Sequence, residues 1–162
     1  MKKNIIYLLA FIVLVNTSSF NLVYAAGSAD SNANSKTNLY KTGKKLVYRA
    51  KKLEKKNKQE KAKKIYLQAY DKLEKAYSKD KNNADILNYL GFTLRKTGNL
   101  EKAEVYYLKG LEIDAGHLGI NEYLGELYVQ TDRIDLAKKR LEVLLGCKCE
   151  EYDELKELIE NR

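Results

Sequence analysis

From residue 84 to residue 151 the apolar positions recur in short stripes at alternating steps of three and four, the spacing of helices that each bury one face. Laying residues 84–117 over 118–151 superimposes Leu90-Gly91 on Leu124-Gly125, Leu94 on Tyr128, Ala103 on Ala137 and Tyr107 on Leu141, which is an internal period of 34 residues. Each period holds two helical stripes, so it predicts a helical hairpin. The turns between helices are marked by Asn82-Asn83, Thr97-Gly98-Asn99, Gly116 and Gly146 in a chain without proline. A single hairpin cannot bury its own apolar face, so the units must stack. No alternating strand pattern appears.

Upstream, a unit in strict register would begin at residue 50 and set Lys56 and Asn57 at the tightest packing positions. Beginning at 43 instead places Leu46, Ala50, Leu53, Ala62, Tyr66 and Ala69 where the later units have their packing residues. This leaves seven residues beyond one period, close to two helical turns. The stripe Ile65, Tyr66, Ala69, Leu73, Ala76 and Tyr77 runs through them, so the second helix of this unit is expected to be elongated. Its start is read at "NKQE", with Asn57 as the cap and Glu60 reaching back. At the other end, Tyr152, Leu155, Leu158 and Ile159 share one face of a short helix whose other face is charged. A helix with one wet face is what closes the last exposed surface of a stack.

The 34-residue period with Leu-Gly at positions 7 and 8, large residues at 4, 11 and 24, and Ala at 20 resembles the tetratricopeptide repeat. Gly and Ala are small there because the two helices of one hairpin cross closely, and the large residues fill the space between units. Departures are Asn121 at position 4, Gly110 and Leu144 at position 27, and the missing proline at 32. The resemblance implies an all-α superhelix of three hairpins, at about 43–83, 84–117 and 118–151, closed by a cap at 150–161, within a domain spanning 40–162. The ending "HLGINEYLGELYVQ" followed by "CKCEEYDELKELI" is also similar to small exported bacterial tetratricopeptide proteins that close with a cysteine pair and a capping helix, although their pair is commonly spaced more widely.

Ahead of the repeats, residues 1–25 hold Lys2 and Lys3, an apolar run from Ile5 to Val15, and Val23-Tyr24-Ala25, which reads as a cleaved signal peptide. The run is too short for a spanning helix. The mature chain is expected to begin near Ala26, in a periplasmic or secreted compartment where thiols are usually oxidised. Residues 26–39, "AGSADSNANSKTNL", offer little to bury and are expected to form a flexible leader.

The formal net charge of +8 conceals an asymmetry. Residues 41–81 carry 16 Lys or Arg against 5 Asp or Glu, whereas 82–162 carry 11 against 16. The basic segment suits an anionic envelope surface, such as phospholipid, lipopolysaccharide or cell-wall polymer, or it is simply the solvated face of a long helix. Export argues against nucleic acid.

The resemblance further implies a peptide or protein partner on the concave face, held by helix A positions 2, 5, 9, 12 and 13. These positions carry Lys44, Val47, Lys51, Glu54 and Lys55 in the first unit, and Asp85, Asn88, Phe92, Arg95 and Lys96 in the second. The third offers Gly119, Glu122, Glu126, Val129 and Gln130. Asn88 can grip a peptide backbone, Phe92 gives an apolar floor, Arg95 with Lys96 suits a carboxylate, and Glu122 with Glu126 suits a basic segment. Of the 13 tyrosines, Tyr66, Tyr107 and Tyr128 fall at repeat-core positions, and the pair Tyr106-Tyr107 is expected to turn one ring inward and one outward.

No phosphate loop, catalytic triad or metalloprotease motif is present, and nothing calls for a cofactor. The remaining chemistry lies in Cys147 and Cys149, the only cysteines, and His117, the only histidine. The cysteines form a disulfide or an inert pair, exchange thiols, or join His117 one repeat away to hold copper or zinc. The reading is therefore an exported adaptor without catalytic activity, and the competing class is metal capture or thiol redox at the cysteine pair.

Overall fold

The computed structural model describes residues 28–162, with side chains from residue 37 onward. The signal peptide read at 1–25 lies outside the described residues. Among those described there are seven helices and no strand: α1 (Ser28–Glu54), α2 (Gln59–Lys79), α3 (Ala84–Thr97), α4 (Leu100–Ile113), α5 (Leu118–Gln130), α6 (Ile134–Leu144) and α7 (Glu150–Glu160). They pack as the hairpins α1–α2, α3–α4 and α5–α6, with α7 across α5 and α6, in an all-α superhelix. No helix among the described residues is long and apolar enough to cross a membrane.

The repeat positions form the core. Leu90, Leu124, Ala103, Ala137, Tyr107 and Ala62 are essentially inaccessible. A Cβ on Gly91 would sit 2.5 Å from the Tyr107 ring, so position 8 of that unit is glycine because an aromatic from helix B lies on it. The departures from the pattern have local causes. Gly110 stands where Ala is usual because Ile120 of the next unit presses on it. Asn121 replaces a large apolar residue and is fully buried, with its Nδ2 donating to the carbonyls of Ala115 and His117 at 3.0 Å and its Oδ1 accepting from Arg140 at 3.3 Å. It ties the turn before α5 to its own helix and to α6.

Helix ends follow the marked turns. Asn83 and Asn99 accept from the backbone N–H groups of Ile86 and Lys102, satisfying donors that a helix start leaves free. Gly98 takes the left-handed conformation at φ +95° that ends α3. Asn57 does not cap α2 as its sequence context predicts. It sits at φ +55° and donates its backbone N–H to Glu54, ending α1, while Lys58 precedes α2 without a side-chain cap.

Two further expectations change. Helix α2 is elongated as read, with 21 residues against 14 in α4. Its last turns need a partner, and α1 supplies it by starting at Ser28 rather than after Tyr40, so residues 28–39, read as a leader, are helical. Leu73 of the added length packs on Gly43, where a Cβ would come within 2.6 Å, and Leu39 and Tyr40 border the core. Extending a formed helix costs far less than nucleating one, so these weakly apolar residues follow. Tyr106 is not turned outward either. It is buried with Tyr107, its ring edge-on to Tyr77 and its hydroxyl donating to Glu74 at 2.9 Å.

Candidate binding groove

Helices α1, α3 and α5 line one side of the superhelix, and α7 closes its end. Between them runs a groove with two connected hollows of about 580 and 390 Å³ that share Tyr48, Lys51, Tyr123, Glu150 and Glu154. The smaller hollow carries both signs, with Lys51, Lys52, Lys55, Arg95 and Lys96 alongside Glu126, Glu150 and Glu154. The larger is acidic, with Asp85, Asp114, Glu122, Glu150, Glu151 and Glu154.

All six residues read as partner-binding line this groove, but the structure changes their roles. Phe92 is only 2% exposed, its ring between Tyr66 (centroids 5.7 Å apart) and Tyr123 (4.8 Å). It supports the floor, and the half-buried Tyr123 presents the surface. Arg95 is ion-paired with Glu126, and Lys96 with Glu54 at 2.9 Å, so the cations read as a carboxylate grip are already engaged within the chain. Glu126 is likewise not free for a basic segment. Asn88 is 6% exposed, and its Oδ1 is buried with no donor.

Glu122 is 3% exposed. Burial pushes its carboxyl up to about 9, helped by a hydrogen bond with Glu154 and by the charges of Glu126 and Glu154, against a lowering by Lys51. Carboxylate oxygens of Glu122, Glu126 and Glu154 lie within 4.8 Å of one another. At neutral pH Glu122 is therefore protonated. Lys51 crosses the junction of the hollows, donating to the Tyr123 hydroxyl at 3.3 Å and lying 5.1 Å from the Phe92 centroid.

Sequence reasoning missed the contribution of α7, which it took only as a cap. Its acidic first turn, Glu150, Glu151 and Asp153, suits the positive end of the helix and also turns Glu150, Glu151 and Glu154 to the groove. The run "CEEYDE" is the visible signal, but nothing in it says which face it turns to the repeats.

The alternative metal set is not assembled. His117 accepts from the Ile120 N–H through Nδ1 at 3.2 Å, capping α5, and its Nε2 faces Asp85 at 3.4 Å. Cys147 and Cys149 lie against each other with their sulfurs at bonding distance and their Cα atoms 5.2 Å apart, the bend between them supplied by Lys148 at φ +52°. Among the described residues, the group of three whose ligand atoms converge is Glu122, Glu126 and Glu154.

A family model described as tetratricopeptide repeat matches residues 72–105, from the later turns of α2 through α3 into α4. No curated protein matches the chain. Three similar folds among solved structures are the type III secretion translocator chaperone SycD of Yersinia enterocolitica, a tetratricopeptide repeat protein of Parabacteroides merdae, and the first tetratricopeptide domain of human RPAP3. The Yersinia protein is 17% identical with a TM-score of 0.52, over 75% of this chain and 90% of that one. The Parabacteroides protein is 16% identical with a TM-score of 0.53, over 74% of this chain and 59% of that one. The human domain is 19% identical with a TM-score of 0.55, over 73% and 90%. With its period, its stacked hairpins and this match over 72–105, the chain carries a tetratricopeptide repeat within an all-α superhelix.

Proposed function

We propose that the protein is an exported adaptor that holds a peptide or a segment of another protein in the groove between α1, α3, α5 and α7, in the service of cell-envelope assembly. The observation that carries this reading is the groove itself: walls carrying charges of both signs over a tyrosine floor, with a buried acceptor on Asn88 that has no donor. Buried polar groups are nearly always paired, so an unpaired one on a residue that lines a hollow supports the reading that a ligand completes the set there. The Yersinia fold neighbour is named as a translocator chaperone, a role in keeping with holding a client segment.

A photo-crosslinking residue placed at Lys52 or Tyr48, on the groove, tests this in the native host. A discrete adduct is expected from these positions and not from the exposed Val105 or Leu108 on α4. Equal labelling from both sets, or none from the groove, would sink the reading. Substituting Phe92 or Arg95 would be uninformative, because both are built into the fold.

Export and the oxidised pair are proposed together, and one intact-mass measurement on the exported fraction checks them. The expected species begins near Ala26, is two hydrogens lighter than the reduced chain and takes up no alkylating agent under denaturing conditions. A retained N-terminus contradicts export. Two alkylated thiols would return Cys147 and Cys149 to metal or redox chemistry.

A further inference from the structure

We propose that the larger hollow of the groove is a socket for a cationic side chain, Arg or Lys, of the bound segment. The inference rests on the peptide-binding reading above and adds the chemistry of the occupant. The hollow is rich in acceptors. Asn88 contributes a buried carbonyl oxygen without a donor, and Asp85, Glu150 and Glu154 contribute carboxylates at the rim. The rings of Tyr89 and Tyr123 stand beside them. An amide oxygen, carboxylates and aromatic rings share one preferred guest, a planar guanidinium or an ammonium on a flexible stem.

The cations among the lining residues are Lys51 and His117, while Lys44, outside the lining, lies over the Tyr89 ring 5.7 Å from its centroid. Lys51 is drawn to the junction by the Tyr123 hydroxyl and the Phe92 ring. His117 spends Nδ1 on the N–H of Ile120 and turns Nε2 to Asp85. A metal ion suits the hollow less well than an organic cation, because Glu126 of the carboxylate group is held by Arg95 and because Lys51 faces Glu122. Glu122 adds a response. Its proton is retained in the free groove by burial and by Glu154 and Glu126, with Lys51 opposing, and a guest cation beside it favours the ionised form. Cation binding is therefore expected to release protons near neutral pH.

The experiment selects binders to the full-length chain from a phage-displayed library of random short peptides, then resynthesises the best with Arg replaced by citrulline or Lys by norleucine. The expected result is that each binder contains a basic residue whose neutral counterpart binds about tenfold or more weakly, the loss typical of a charge-assisted hydrogen bond. Glu154→Gln, at an exposed position, and Asn88→Ala should weaken the parent peptide similarly while leaving the thermal midpoint unchanged or higher. Titrations in buffers of different ionisation enthalpy should show proton release that Glu122→Gln abolishes. Binders that occupy the groove but bind equally well with citrulline or norleucine would overturn the socket and leave the adaptor standing. Displacement of the peptide by calcium chloride in a Glu154-dependent way would make a metal ion the guest and overturn it too. No enrichment of any peptide would overturn both.

Discussion

Leu155→Ala is expected to destabilise the protein by about 3 kcal/mol, a mid-range value for emptying a well-packed core site. Leu155 is the one residue of α7 that is wholly buried, and its methyl groups rest where a Cβ on Gly125 would otherwise sit. That glycine is position 8 of the last unit, so the cap uses the same close approach that Tyr107 makes on Gly91 one repeat earlier. Collapse around the missing side chain is limited, because Leu124, Leu127 and Leu144 are themselves fully buried. Urea unfolding measures the effect, with Leu158→Ala as the control. Leu158 is 41% exposed and should cost less than about 1 kcal/mol. Equal losses at the two positions would mean that α7 does not dock as described.

The second large effect depends on pH. Glu122 is held protonated in the fold up to about 9, whereas its ordinary value, which it regains on unfolding, is 4.5. Between these values the folded chain binds a proton that the unfolded chain has lost, so stability falls as pH rises, by up to about 1.4 kcal/mol per unit. The contribution is complete below pH 4.5, declines across the window and is gone above 9. Glu74 acts in the opposite direction, because hydrogen bonds from Tyr70 and Tyr106 and the charge of Lys102 lower its carboxyl. The clean measurement is therefore the difference between the wild-type chain and Glu122→Gln, which should be more stable at pH 8 by a margin that shrinks toward pH 5. A difference that does not change with pH would show that Glu122 is already ionised at neutral pH.

The fold was legible because a repeat writes each packing rule more than once. Leu90 and Leu124, Gly91 and Gly125, and Ala103 and Ala137 occupy equivalent places and are buried alike. The groove was legible only as a set of positions. Arg95 meets Glu126 and Lys96 meets Glu54 across neighbouring helices, and such pairings depend on the curvature of the stack rather than on spacing along the chain. The same holds for Glu150 and Glu154, whose place at the groove depends on how α7 crosses α5. Asn57 was misread because a helix stop and the next helix start compete for the same residues when a turn is short. The extension of α1 was missed because its residues follow the needs of α2 rather than any apolar signal of their own.

The added length of α2 has a consequence for how such a protein can grow. Ala62, Ala69 and Ala76 lie seven residues apart on one buried face, and Tyr66 and Leu73 repeat the same step. Seven residues turn a helix by about 700°, only about 20° short of two full revolutions. A heptad inserted into one arm of a hairpin thus points its new side chains at the partner helix, whereas an insertion of five would point them away. Repeat proteins are usually thought to enlarge lengthwise, by adding units. Here the described α1–α2 hairpin is the longest of the three, and each further heptad in α2, matched on α1, would extend that hairpin by two turns while leaving its neighbours where they are.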